Sequence, residues 1–336
     1  MNRNTIAVIL AAGKGTRMKS ERAKVLHEVF FKPMLHHVLD AVTGADIKKI
    51  AVIVGHQREK VLSSLAHYPH IPVIQEEQLG TGHAVLCAGD ACKESNQVMI
   101  LCGDTPLIRS QTLQEMIASH NRSDAVITLM TTMPANPFGY GRVISDDQGN
   151  ILKIVEQKDA DEKQQQIREI NTGIYLVQRD FLFQALQQVG TDNSQGEVYL
   201  TDIISIAGSR HKKVHKFLHS EPIDVLGVNS RVELAQAHFE LQMRHNRRLM
   251  LSGVTMYSPE TILIEPNCSI GKDTVINGSA RITGGSTIGG TALLETGVVV
   301  HKARLGGRAV IGAGSVLHNC TIDDEEHIPP LTYRVG

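Results

Sequence analysis

The 336-residue chain contains no tryptophan, and aromatic residues make up only 4% of it. Base-stacking platforms for single-stranded nucleic acid need exposed rings, so that class of function has little to build on. An excess of one charge is also missing: 34 Lys and Arg stand against 35 Asp and Glu, a net charge of −1. No Lys/Arg-rich run compensates locally, and nucleic acid is therefore not expected as a partner. No apolar stretch approaches the ~20 residues of a membrane span, and the first residues lack the pattern of a signal peptide. The five cysteines, Cys87, Cys92, Cys102, Cys268 and Cys320, form no Cys-x-x-Cys pair. Free thiols in a reduced, cytoplasmic setting are expected, with no membrane partner. The 16 histidines contain no His-Glu-x-x-His pair and read as scattered packed or surface residues.

Against these absences stands one dense motif. Residues 6–10 are continuously apolar and predict a buried strand of a parallel sheet. The strand empties into Leu10, Ala11, Ala12, Gly13, Lys14, Gly15, Thr16 and Arg17, with Lys24 shortly after. Glycines here open backbone conformations and let an anion approach without a Cβ in the way. Arg17 and Lys24 supply positive charge for phosphate oxygens. The spacing matches neither the P-loop nor the Gly-x-Gly-x-x-Gly fingerprint.

Alternating apolar and amphipathic stretches follow. They predict strands at 50–54, 72–75, 98–102 and 125–130, with helices at 32–42, 57–66, 82–91 and 111–120. Such alternation implies right-handed crossovers and a mostly parallel sheet covered on both faces. A hairpin is expected at 142–157, then a strand at 171–178, helices near 181–188 and 198–207, and a strand near 213–219. Ser230 and Glu233 form a capping-box pattern at the start of a long polar helix ending near Gly253. Beyond it, Ile264, Ile270, Ile276, Ile282, Ile288 and Leu294 recur every six residues, and the period resumes one residue out of phase at Leu305, Ile311 and Leu317. One inward aliphatic per hexapeptide predicts a short β-helix of three to four coils, the alternative being a β-sandwich with chance spacing. The expected division is a nucleotide-binding domain over 1–229, a linker helix over 230–253 and the β-helix over 254–336. Asp104 sits just past a buried strand, where ligands bind in open α/β sheets, and is either a metal ligand or a helix N-cap.

The glycine-basic string, with seven further motifs in order, resembles the sugar-phosphate nucleotidyltransferases. Among them it is most similar to the bacterial uridyltransferases acting on N-acetylglucosamine 1-phosphate. The supporting strings begin at Gln75, Gly103, Gly139, Ile154, Glu169, Gly196 and Gly227, and the likeness spans residues 5 to about 253. It implies a Rossmann-like α/β domain followed by a left-handed β-helix. The implied reaction is Mg²⁺-dependent transfer of UMP from UTP to the sugar 1-phosphate, releasing pyrophosphate. Its nucleophile is a phosphate with a second pKa near ~6, so no general base is needed. Catalysis then rests on positioning and charge neutralisation.

Residue by residue, the resemblance assigns catalysis to Arg17, Lys24 and Asp104, with Asp104 and Asn229 holding Mg²⁺. It assigns the nucleotide to Leu10, Ala12, Gly13, Lys14, Gly15, Thr16, Arg17, Lys24, Gln75, Gly80 and Thr81. The sugar falls to Gly141, Glu156, Asn171 and Thr201. A homo-oligomer, specifically a trimer, is also implied. Three positions depart from the family pattern: Ala23 stands where proline is usual, Cys102 where tyrosine is common, and Phe138 where a small polar residue is usual. Ala23 in place of proline is expected to leave its loop less rigid.

Bifunctional members of the family also transfer an acetyl group to glucosamine 1-phosphate. The His-Leu-Thr-Tyr and Asn-Tyr-Asp-Gly strings of that second site are missing here, and no acetyl transfer is expected. Two other readings compete. One is the same chemistry on another pair, such as glucose 1-phosphate with UTP or dTTP. The other is a non-catalytic scaffold, against which the presence of Arg17, Lys24 and Asp104 speaks.

Overall fold

The computed structural model describes residues 4–336, which divide into two compact units. The first comprises the chain up to Glu28 and from Lys32 to Leu234; the second comprises Val29–Phe31 and Ala235–Gly336.

From its start the chain runs β1 (Thr5–Ala11), β2 (Glu28–Val29), β3 (Lys32–Pro33), α1 (Met34–Gly44), β4 (Lys49–Val54), α2 (Arg58–Ser64), β5 (Ile71–Ile74), α3 (Thr81–Cys87) and β6 (Gln97–Cys102). It continues with α4 (Ser110–Ser123), β7 (Ile127–Thr132), β8 (Arg142–Ser145), β9 (Ile151–Val155), α5 (Glu162–Gln165), β10 (Ile170–Gln178), α6 (Arg179–Leu186), α7 (Asp202–Ser209) and β11 (Val214–Leu218). The central sheet has the order β11-β7-β10-β6-β1-β4-β5. Strands β1, β4, β5 and β6 are parallel, β11 is parallel to β7, and β10 runs antiparallel between β6 and β7. Alternate residues of β1 feed separate cores, Ile6 and Val8 on one face, Ala7 and Ile9 on the other, all with no exposed surface. Burial on both faces explains why the strand reads as an unbroken apolar run.

Boundaries differ from the sequence expectation for identifiable reasons. Helix α1 begins at Met34 because Pro33 disfavours helical backbone at Lys32, and that pair forms β3 instead. Helix α7 begins at Asp202, four residues later than expected. The backbone N–H groups of Val198 and Leu200 are drawn off to the Leu79 carbonyl (2.9 Å) and the Thr81 hydroxyl (3.1 Å). The β2–β3 hairpin was not anticipated: Phe30 and Phe31 both take positive φ, 44° and 73°, in its turn. Bulky residues resist that region. Burial of Phe30 against the rings of His238 and His245 (5.9 and 5.6 Å between centroids) offsets the cost.

The second unit contains most of α8 (Arg231–Leu251) and a short left-handed β-helix. Two of its three sheets have five strands and the third has four, more coils than the aliphatic period alone predicts. Ile282 pairs with Val300 and Val300 with Leu317, so the coil shortens from 18 to 17 residues. That shortening is the phase slip in the sequence. Helix α8 docks through polar groups: Gln242 Nε2 donates to the Glu260 and Ile262 carbonyls, and Asn246 Nδ2 to those of Pro259 and Ile262, at 2.8–3.0 Å.

Candidate active site

Strand β1 ends at the floor of a cavity of about 520 Å³, within the ordinary range for a small-molecule site. Every residue assigned above to the nucleotide lines it, from Leu10 through Thr81, together with Asp104 and Asn229. The local fold depends on its glycines. Gly15 has φ 62°, and a Cβ there would stand 2.5 Å from the Lys24 Cβ. A Cβ on Gly13 would meet nothing within 4 Å, so this residue faces open space.

Three chain segments meet at one point. Lys24 Nζ contacts the Asp104 carboxylate and donates to Asn229 Oδ1 at 2.6 Å. Arg17 donates to the same Asn229 oxygen at 2.8 Å. The Lys24 and Asp104 side chains are only 13% and 19% exposed. Asp104 is held from behind: its carbonyl accepts the Val228 N–H at 2.8 Å, and the adjoining Gly227 leaves little more than a Cβ of space beside its carboxylate. Neither residue acts as a helix cap. The next helix, α4, starts at Ser110, and Asn229 directs its side chain to Lys24, Arg17 and the Gly227 carbonyl. Ser230 caps α8 through the Glu233 N–H, while the Glu233 carboxylate takes the Asn229 N–H at 2.6 Å. The capping arrangement thus also holds Asn229 in place.

The donor set suits a hard divalent cation. One carboxylate oxygen and one amide oxygen already converge on a single ammonium, and Mg²⁺ commonly takes few protein ligands alongside phosphate and water oxygens.

The four sugar-assigned residues are brought together but are not walls of this cavity. Asn171 donates its N–H to the Gly141 carbonyl at 2.9 Å, and a Cβ on Gly141 would lie 3.4 Å from Glu156. Burial pushes the Glu156 carboxyl above its ordinary range, opposed by the Thr201 hydroxyl beside it and reinforced by Asp159, Asp202 and Glu197. The Asn171 side-chain oxygen, Oδ1, accepts the Gly173 N–H at 2.9 Å, at the bulge where β10 shifts register. Thr81 accepts the Leu200 N–H and so ties the nucleotide loop to the segment carrying Thr201.

Gln78, Gln195 and Glu197 also line the cavity and were not singled out in the sequence. Gln78 and Glu197 fall inside the strings that begin at Gln75 and Gly196, and Gln195 directly precedes the second, which was the available signal. Cys102 lines the cavity as well, its thiol pushed up to about 12 by burial. The Ala23 loop carries a tie that proline could not make, since its N–H donates to Gln57 Oε1 at 3.1 Å. Phe138 projects into solvent, 74% exposed. Among the described residues, no group of three or more His, Cys, Asp or Glu is placed to hold a metal, and no helix is long and apolar enough to cross a membrane.

Comparison with known proteins agrees with this architecture. Residues 6–235 match the nucleotidyl transferase family. A protein of Desulfotalea psychrophila called Bifunctional protein GlmU is 52% identical over 323 residues, covering 96% of this chain and 95% of its own length. Proteins of the same name from Pelobacter propionicus and Geotalea daltonii are 43% and 45% identical; they cover 98% and 89% of this chain and 72% and 66% of their own lengths. The chain belongs to the nucleotidyl transferase family, on its GlmU-like, N-acetylglucosamine-1-phosphate uridyltransferase branch.

Proposed function

We propose that the chain transfers UMP from UTP to N-acetylglucosamine 1-phosphate, giving UDP-N-acetylglucosamine and pyrophosphate, with Mg²⁺ as cofactor. The observation that carries this reading is the meeting of Arg17, Lys24, Asp104 and Asn229 at one end of the cavity lined by the glycine-basic loop. A phosphate oxygen of the sugar attacks the α-phosphorus. The new P–O bond forms as the bond to the β-phosphate bridging oxygen breaks, and that electron pair leaves with pyrophosphate. No proton needs to be removed from a nucleophile that is already a dianion.

The difficulty is bringing two polyanions together, and cationic side chains at the site reduce it. Arg17 and Lys24 place two positive charges against the triphosphate. Asp104 and Asn229 would hold Mg²⁺, which when bound neutralises charge on phosphate oxygens. Glu156, Asn171 and Thr201 would satisfy sugar hydroxyl and amide groups, and the desolvated Glu156 is suited to accept a hydrogen bond from a hydroxyl.

Pyrophosphate release with UTP and N-acetylglucosamine 1-phosphate, run beside glucose 1-phosphate, glucosamine 1-phosphate and dTTP, tests the assignment. Selective turnover of the first pair is expected; turnover of another pair would reassign the substrates, and none at all would favour a scaffold.

A trimer is proposed from the β-helix, and its mass by light scattering tests it. A cytoplasmic location belongs to the same reading.

A further inference from the structure

We propose that His83, which is not a wall of the cavity, is a positioning residue for base recognition. It holds the Gln75 amide so that Oε1 is the atom presented to the nucleobase, selecting a base whose edge donates an N–H. The inference rests on the uridyl-transfer reading above and adds a determinant of base choice to it.

Gln75 follows the end of β5, lines the cavity and is 3% exposed. Its backbone is fixed at both ends, the N–H donating to the Val54 carbonyl at 2.9 Å and the carbonyl accepting Gln78 Nε2 at 3.2 Å. One side-chain amide atom lies 3.2 Å from the Gly80 carbonyl oxygen and 3.1 Å from His83 Nδ1. A carbonyl can only accept, so the atom facing Gly80 is the NH₂ group. Its second hydrogen is directed to His83 Nδ1, which must then accept, leaving the ring proton on Nε2. Across the ring, Nε2 lies 4.0 Å from Cys87 Sγ, a thiol that burial keeps protonated.

The Gly80 carbonyl is itself fixed. Gly80 has φ 109°, a Cβ there would stand 2.6 Å from the Val198 carbonyl, and the Ala84 N–H donates to the Gly80 oxygen at 3.1 Å. Flipping the amide would set oxygen against the Gly80 oxygen and against the Nδ1 lone pair. Both amide hydrogens are thereby committed, while Oε1 receives no hydrogen bond among the described residues.

A fixed acceptor complements the imide N–H of uracil or thymine. Cytosine presents a bare ring nitrogen at the same place, lone pair facing lone pair. A site built around a committed polar group rejects the mismatched partner more strongly than apolar contact can. The spacing also makes local sense: Gln75, Gly80 and His83 lie within nine residues, so strand end, turn and first helical turn form the clamp together.

Steady-state kinetics with UTP and CTP at fixed sugar phosphate test this on H83L, which fills the volume but cannot accept, and on H83N, whose Oδ1 can replace Nδ1. H83L should raise the KM for UTP about tenfold with kcat within about twofold, and narrow the UTP-over-CTP preference by about tenfold. H83N should keep the wild-type values. A merely structural role would weaken both nucleotides alike and would not be rescued by Asn. An unchanged base preference in H83L, or equal damage in H83N, overturns the inference while leaving uridyl transfer standing. Wild-type protein that does not prefer UTP overturns both.

Discussion

Lowering the pH should loosen the second unit through His245, and the size of the effect can be worked out. The residue is 6% exposed, its Nδ1 lies 2.9 Å from an Arg248 nitrogen and accepts from it, and its Nε2 is buried with no hydrogen-bond partner among the described residues. Burial first, and the Arg248 charge second, lower its pKa from 6.5 to about 4. A group whose folded pKa is depressed by burial in its neutral form stabilises nothing at neutral pH. The unfolded chain takes up a proton as pH falls through 6.5, so stability is lost from there down to about 4. The full loss is about 3 kcal/mol, of which about 2 kcal/mol falls between roughly pH 7.5 and 5. His238, whose Nδ1 accepts the Phe30 N–H at 3.2 Å, is shifted in the same direction by burial and by Arg281. Urea unfolding of wild type and H245L at both pH values isolates the His245 contribution, because every other titration is common to the pair. The stability difference, wild type minus variant, should fall by about 2 kcal/mol on acidification. A difference that does not change with pH would refute the reasoning.

Asp104→Asn should lower kcat by about a hundredfold or more, with the fold intact by circular dichroism. Near wild-type turnover at saturating Mg²⁺ would remove Asp104 from the metal site. Lys24→Ala should raise the KM for UTP by about tenfold or more, checked by nucleotide titration, since a partly buried charge-assisted contact is lost. Gly15→Ala should reduce stability by about 1 kcal/mol or more and impair UTP use, because its φ of 62° and the nearby Lys24 side chain both resist a Cβ. The KM for sugar phosphate should rise as pH falls through the raised Glu156 range, and Glu156→Gln should flatten that dependence.

The parallel sheet was legible because doubly buried strands such as β1 leave continuous apolar runs, and the β-helix because one aliphatic per face must recur. The phase slip was visible, but its cause, a coil one residue shorter, needed strand pairing to identify. Helix α8 reads as a polar linker, yet three of the four residues it buries are polar, Gln242, His245 and Asn246, beside Ala237. Hydropathy cannot distinguish a polar side chain facing water from one facing backbone carbonyls. At the candidate site, the loop glycines and charges were recognisable from their spacing. The Lys24–Asp104–Asn229 meeting was legible only through the family resemblance, since it joins positions up to 205 residues apart that no local pattern connects. The clamp on Gln75 was not legible, since it depends on the direction of a single carbonyl.

The Phe30–Phe31 turn bears on the order in which the chain matures. Its tip belongs with a unit whose remainder begins at Ala235. At the usual ~5–20 residues per second of synthesis, roughly 10–40 s separate the emergence of Phe30 from that of the helix that buries it. For that interval Phe30 lacks the rings whose contact offsets its unfavourable backbone angles, so the turn reaches its final shape only after they are made. The carboxy-terminal unit cannot be assembled from carboxy-terminal residues alone: one of its packing pieces is among the first parts of the protein made.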